Sequence, residues 1–125
     1  MKFIFHIVNI LLIVFYFFPG SIIGCLLHND CKIQPQLTPD FIVSSNHFYA
    51  FAIISLLGFV TYAKDKAFKI IIAYFFFIAV FFELAHIITP ERGFEVKDLG
   101  GNIFGVVISL VIFLTFKLRK KNGFI

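Results

Sequence analysis

Charged residues are scarce in this sequence, and tryptophan is absent. Asp, Glu, Lys and Arg make up 14% of the 125 residues, whereas 60% are hydrophobic. Because a soluble domain of this length cannot bury so much apolar surface, the composition excludes a water-soluble globular protein and predicts one embedded in a lipid bilayer. The basic residues lie in short loops beside apolar stretches rather than along one face. The net charge of +4 therefore does not predict nucleic-acid binding.

The sequence contains only two cysteines, Cys25 and Cys31, which excludes a disulfide-rich framework. Cys25 precedes a polar loop at residues 28–40 and Cys31 lies within it, and their spacing leaves two interpretations open. They form one small disulfide ring if the loop faces an oxidising compartment, or they stay free thiols near the membrane surface. A metal site that adds His28 to them is less favoured. We expect neither a cofactor nor a metal.

Proline and glycine are also few, and they mark where apolar stretches end. Pro19-Gly20 ends or kinks a first apolar helix, and Pro90 ends the third. Asp98 is the predicted N-cap of the fourth helix. The competing interpretation of the first apolar helix is a cleaved signal peptide. We predict an all-α membrane bundle of four transmembrane helices in a single domain, residues 1–125, with helices at about 3–18, 46–63, 69–89 and 98–117.

The basic residues are distributed unevenly between the two sides of this predicted bundle. Four spans place both termini on one side, together with eight Lys or Arg residues, and leave three on the other. By the positive-inside rule, the termini are predicted to be cytoplasmic, in a bacterial cytoplasmic membrane. Tyr16 is assigned to the aromatic belt at the membrane–water interface. The eight are Lys2, Lys64, Lys66, Lys69, Lys117, Arg119, Lys120 and Lys121, and the three are Lys32, Arg92 and Lys97.

Polar side chains converge on the exported side, where the second helix begins, the third ends and the fourth begins. Glu83 is the most informative of them, because a carboxylate in an apolar span costs a few kcal/mol and usually faces protein or water. Its predicted partner is Arg92, for which Asp98 competes, or His86 on the same helix face. The sequence leaves two roles open for Glu83, one in a ligand site and one in a structural ion pair. The residues predicted to line this polar pocket are His47, Glu83, His86, Arg92, Asp98 and Asn102.

Gly101 and Gly105 stand four residues apart near the start of the fourth predicted helix. Small residues at this spacing allow two helices to approach closely. We therefore predict that this pair packs against another helix, with Asn102 as a hydrogen-bonding group between helices. The same pair is the candidate interface for a homo-oligomer.

The residues of the predicted pocket and the segments around it resemble the pattern of a known family. Over about residues 41–116 the chain resembles the VanZ-like family of small integral membrane proteins. The resemblance implies a cell-envelope protein and, in the founding case, lowered susceptibility to the glycopeptide antibiotic teicoplanin. It implies no established reaction. The residues that fall on family positions are His47, Glu83, Arg92, Glu95, Asp98, Asn102 and Gly105.

The chain departs from the family pattern at two places. Val43 and Ser44 stand where an Asp-Lys pair is expected, and His86 stands where glutamine is usual. The missing lysine removes one cation from the predicted pocket, and His86 restores part of that charge at acidic pH.

We expect a binding or accessory protein whose pocket takes an anionic envelope lipid or lipid-linked precursor, with Arg92 contacting its phosphate. The alternative is a membrane-embedded enzyme that acts on a phosphorylated or acylated lipid, with Glu83 or His86 as general base. No G-x-S-x-G or H-E-x-x-H motif supports that alternative. A third hypothesis is a subunit of a proton-coupled transporter, and Glu83 is the only residue that supports it. A metal held by His47, Glu83, His86 and Asp98 is compatible by ligand type but lacks a compact motif.

Overall fold

The secondary structure is all helical, as predicted. The computed structural model describes residues 1–123, which contain five helices and no strand. Helix α3 contacts α1, α4 and α5, and its contact with α5 is the most extensive in the bundle. From His47 to Phe59, the buried residues of α3 recur every three or four positions and form one broad stripe along the helix. The helices are α1 (Lys2–Phe17), α2 (Ile22–His28), α3 (Ser45–Thr61), α4 (Phe68–Ala85) and α5 (Val96–Lys121).

Not all of these helices are long enough to cross a bilayer. Helices α4 and α5 meet the length and hydropathy expected of a span, and α1 with α2 makes a third if the bent pair is one span. Helix α3 has 17 residues. At 1.5 Å per residue it is roughly 25 Å long, shorter than the hydrocarbon core of about 30 Å. The described residues therefore form a helical membrane protein with two or three candidate spans, and helix length does not establish four.

The chain turns sharply after α1, at the predicted Pro19-Gly20 break. Helix α2, which the sequence did not predict, follows at an angle of 79° to α1. Gly20 has a φ of +86°, and a Cβ there would lie 2.5 Å from the carbonyl oxygen of Cys31. The chain after α2 thus folds back over the break. A disulfide between Cys25 and Cys31 closes this turn, which resolves the two interpretations in favour of the ring.

Three predicted helix ends were wrong, and one of them is the end of α5, which lies at Lys121 rather than at about residue 117. Helix α4 ends at Ala85 rather than at about residue 89, and hydrogen-bonded turns fill the interval before Pro90. Helix α5 begins at Val96, with Glu95 and not Asp98 at the N-cap. The backbone N–H of Asp98 already donates to the Glu95 carbonyl, which starts the helix earlier. Asp98 lies in the first turn, where a carboxylate still interacts favourably with the helix dipole.

Gly101 and Gly105 bring α5 against α3 within the chain. A Cβ on Gly101 would lie 2.7 Å from the Ser44 carbonyl oxygen, and one on Gly105 would lie 2.6 Å from that of Phe48. Both glycines are buried. The predicted close packing is therefore intramolecular, and a homo-oligomer that used this face would have to displace α3.

Candidate functional site

The polar residues predicted from the sequence gather at one end of the bundle, around a cavity of about 250 Å³. The walls come from the start of α3, the start of α5, the residues after α4 and the loop before α3. His47, His86, Arg92 and Asp98 line this polar cavity. Glu83 and Asn102, both 0% exposed, lie behind its walls.

His47 and Asp98 join α3 to α5 at the cavity wall. The His47 Nδ1 atom lies 2.9 Å from Asp98 Oδ1 and 2.9 Å from the Ser44 hydroxyl oxygen. The small side of α5 at Gly101 lets the two helices come this close, because a Cβ there would lie 3.0 Å from the His47 Cβ. Ser44, where the resemblance led us to expect a lysine, therefore contacts the His47 imidazole.

Glu83 pairs with His86 and not with Arg92. Its Oε1 atom accepts the backbone N–H of Glu95 at 2.8 Å, which ties α4 to the N-terminus of α5. Its Oε2 atom lies 3.4 Å from His86 Nδ1, close enough for an ion pair. The geometry does not make that contact a hydrogen bond, so Oε2 has no hydrogen-bond partner within residues 1–123. Of the alternatives drawn from the sequence, the structure therefore favours the same-helix partner.

His86 is held by Tyr16 from two directions. Its Nε2 atom lies 3.1 Å from the Tyr16 carbonyl oxygen, and the two rings stack at 5.5 Å with an interplanar angle of 10°. Because a carbonyl oxygen only accepts, Nε2 carries the proton of this hydrogen bond. The imidazole is 2% exposed and is thereby fixed in orientation at the cavity.

Tyr16 is the site residue that the sequence analysis missed. It was assigned to the interfacial belt, but it is only 6% exposed. Its hydroxyl donates to Asn102 Oδ1 at 2.6 Å, and Asn102 Nδ2 donates to the Ala79 carbonyl at 3.0 Å. Asn102 thus connects α1, α4 and α5, as its predicted role between helices requires. The available signal was the spacing of Tyr16 from Phe5 and Leu12, which puts the hydroxyl on the buried face of α1.

Arg92 lies at the mouth of the cavity without a carboxylate partner. Its Nη2 atom donates to the Phe15 carbonyl at 3.3 Å, whereas its Nε atom is buried and unpartnered. It forms no ion pair in the described part of the chain. Burial lowers the pKa of Arg92 below its usual value, and nearby Tyr16, Asp98 and Glu83 oppose that shift. The guanidinium is therefore a partly desolvated cation with free donors.

An apolar groove of about 530 Å³ lies beside the polar cavity, along α1 and α3 and beneath α2. Leu11, Phe15, Ile23 and Ile53 are among the side chains that line it. Five residues line both spaces, so the groove and the polar cavity are adjacent; the five are Gln34, Gln36, Asn46, His47 and Arg92. The sequence did not predict this groove, because its walls come from segments far apart in the chain.

One group of side chains near the cavity is arranged in a way that suits a metal ion. His47, Glu83 and Asp98 each offer one ligand atom, and these atoms all lie within 4.8 Å of one another. Helices α3, α4 and α5 supply one residue each. Imidazole nitrogen and carboxylate oxygen are ligands for zinc and other divalent transition metals.

No family model, curated protein or solved structure matches this chain. The likeness to the VanZ-like family therefore rests on the residues named above, at their positions and spacing in the sequence. What the site can do is derived from its own geometry and charge.

Proposed function

We propose that this protein is a VanZ-like multi-pass membrane protein of the cell envelope that binds an anionic lipid or lipid-linked precursor. The ligand's charged head group lies in the polar cavity, and its hydrocarbon chain lies in the apolar groove. The cavity and the groove fit an amphiphile because they are adjacent, share Arg92 and His47 in their walls, and are of opposite polarity. Pockets of several hundred Å³ with a few polar groups at one end are typical of small-molecule sites.

The proposed topology has four spans in a bacterial cytoplasmic membrane, with both termini in the cytoplasm. The broken α1–α2 pair and the short α3 then each cross the bilayer, with the polar loops completing their length. The excess of Lys and Arg on the side of the termini supports this orientation. The disulfide on the opposite side supports it as well, because disulfides persist in oxidising compartments.

Arg92 is the observation that carries the proposal. It lines both the polar cavity and the groove, and it has free donors and no carboxylate partner in the described residues. A guanidinium presents a planar set of donors that matches phosphate geometry. His47, which also lines both spaces, supplies a second polar contact for the head group.

The alternative proposal is an enzyme that acts on a phosphorylated or acylated lipid. It is favoured by the His86–Glu83 contact at 3.4 Å, with His86 on the cavity wall. Glu83 itself does not line the cavity, so His86 would be the group that reaches a substrate, and Glu83 would orient it.

Binding of a fluorescent polyprenyl phosphate to the full chain in zwitterionic nanodiscs tests the proposal. We expect saturable binding that the matched polyprenol, which lacks the phosphate, does not compete away. Arg92→Ala should weaken affinity about tenfold or more, since a charge-assisted hydrogen bond contributes roughly 1.5–3 kcal/mol. Lys97→Ala removes an exposed cation close by and serves as the matched control.

Two results would contradict the binding proposal. Equal affinity for the polyprenyl phosphate and the polyprenol would show that the phosphate is not recognised. An Arg92→Ala variant with wild-type affinity would show that Arg92 does not contact the phosphate. Release of inorganic phosphate during the incubation would instead favour the enzyme.

Expression in a teicoplanin-sensitive Gram-positive host tests the family-linked role. We expect the wild type to raise the inhibitory concentration of teicoplanin, and Arg92→Ala to lose that effect at equal membrane abundance. A Gram-positive host is needed because an outer membrane would hide the effect. If the well-expressed wild type leaves susceptibility unchanged, the resistance role does not apply to this chain.

A further inference from the structure

Glu83 is a buried carboxyl group with one oxygen atom unpartnered by the described residues. The side chain is 0% exposed, and only its Oε1 atom accepts a hydrogen bond. The Oε2 atom has no hydrogen-bond partner in residues 1–123, and Arg92 does not pair with it. A buried carboxylate is costly unless it is paired, hydrogen-bonded or bound to a metal. Oε2 is therefore an available ligand atom inside the protein.

His86 also leaves the Oε2 atom of Glu83 without a hydrogen-bond donor. The Nε2–H of His86 is committed to the Tyr16 carbonyl, so a neutral imidazole has its lone pair at Nδ1. That lone pair faces Glu83 Oε2 at 3.4 Å, and two acceptors do not attract each other. A cation bound beside these two atoms would interact favourably with both.

A cation next to Glu83 also has other ligands within reach. Ligand atoms of His47 and Asp98 lie within 4.8 Å of one from Glu83, and the three residues come from three helices that pack together. His47 and Asp98 line the polar cavity, so an ion held by them has a coordination position open toward it. Cys25 and Cys31 do not compete for the ion, because they are joined in a disulfide.

We infer that His47, Glu83 and Asp98 form a binding site for one divalent transition-metal ion of the zinc class, with His86 beside it. Nitrogen and carboxylate oxygen ligands suit Zn²⁺ better than Ca²⁺ or Mg²⁺, which prefer all-oxygen sites. The ion connects α3, α4 and α5 at the cavity and gives Glu83 a cationic partner. This inference does not rest on the proposed lipid ligand, and its test contains no such lipid.

The test uses the full chain in detergent, without a polyhistidine tag, after dialysis against a chelator. Zn²⁺ is titrated by calorimetry, bound metal is counted by mass spectrometry, and Co²⁺ serves as the spectroscopic probe. We expect about one ion per chain. His47→Gln and Asp98→Asn should each lower metal affinity at least about tenfold, since even outer-shell changes cost 10–100-fold. Zn²⁺ should raise the thermal midpoint of the wild type but not of these variants.

His28→Gln and Asp65→Asn are the matched controls. The first removes an exposed histidine on α2, and the second removes a carboxylate that pairs with Lys2 at the other end of the bundle. Both should bind Zn²⁺ like the wild type. Absence of stoichiometric binding by the folded wild type overturns the inference. Binding that is equal in the wild type and both site variants overturns it as well, since the ion would then be adventitious. If a site variant fails to fold, the number of Zn²⁺ ions bound per wild-type chain still tests the inference.

Discussion

Replacing Gly105 with valine will lower the free energy of unfolding by about 3 kcal/mol or more, because it forces α3 and α5 apart. A Cβ at this position would lie 2.6 Å from the Phe48 carbonyl oxygen and 2.8 Å from the Ala52 amide nitrogen. Both are backbone atoms of α3, which cannot turn away as a flexible side chain can. Separation would also break the hydrogen bond that the Ser109 hydroxyl donates to the Ala52 carbonyl at 2.6 Å. Denaturant unfolding in mixed micelles measures the loss.

Gly93→Val is the matched control for this substitution. A Cβ on Gly93 meets no atom within 4 Å, so valine there should leave stability nearly unchanged. Gly105→Ala should be intermediate, because it adds the clashing Cβ without the branched methyl groups. A Gly105→Val protein as stable as the Gly93→Val protein would show that α3 and α5 are not in close contact.

Replacing Asn102 with alanine will lower the free energy of unfolding by about 3 kcal/mol, because it leaves the Tyr16 hydroxyl buried without an acceptor and opens a small cavity. Asn102 is 0% exposed and bonds both Tyr16 and the Ala79 carbonyl. Tyr16→Phe should cost less, since Asn102 keeps its bond to Ala79. The two substitutions together should be less damaging than the sum of the single effects.

The double-mutant cycle isolates the Tyr16–Asn102 bond from the other consequences of each change. The expected coupling free energy is about 1–2 kcal/mol, the range for a buried hydrogen bond between neutral groups. Asn122→Ala, an exposed asparagine after α5, is the control and should have little effect. Additive effects of the two substitutions would mean that the hydroxyl and the amide do not interact.

Loss of the Tyr16–Asn102 bond has a consequence for the site as well as for stability. Tyr16 holds His86 through its backbone carbonyl and by ring stacking, and it also contacts the His47 ring at 5.3 Å. A change that lets α1 shift therefore moves two cavity histidines together. The same residues thus contribute to packing between helices and to the shape of the pocket.

Local patterns in the sequence predicted much of the helical structure. Long apolar stretches separated by Pro19-Gly20, by a basic turn and by Pro90 predicted four of the five helices, with ends displaced by up to a few residues. Helix α2 was missed because seven residues give too short a periodic signal and the polar loop beside it resembles a turn. The Asp98 cap was wrong because its carboxylate lies beside His47 across the helix contact, a tertiary feature.

The sequence by itself determined that this protein is helical and membrane-embedded, and it identified the polar residues that are too costly to leave in lipid. Composition and hydropathy suffice for that, because the cost of exposing charge to hydrocarbon depends on residue type. Only the tertiary structure decided that Glu83 faces His86 rather than Arg92, that Tyr16 is buried at the site, and that an apolar groove lies beside the polar cavity. These depend on how helices distant in sequence pack against one another, and close backbone contacts at Gly101 and Gly105 set that packing.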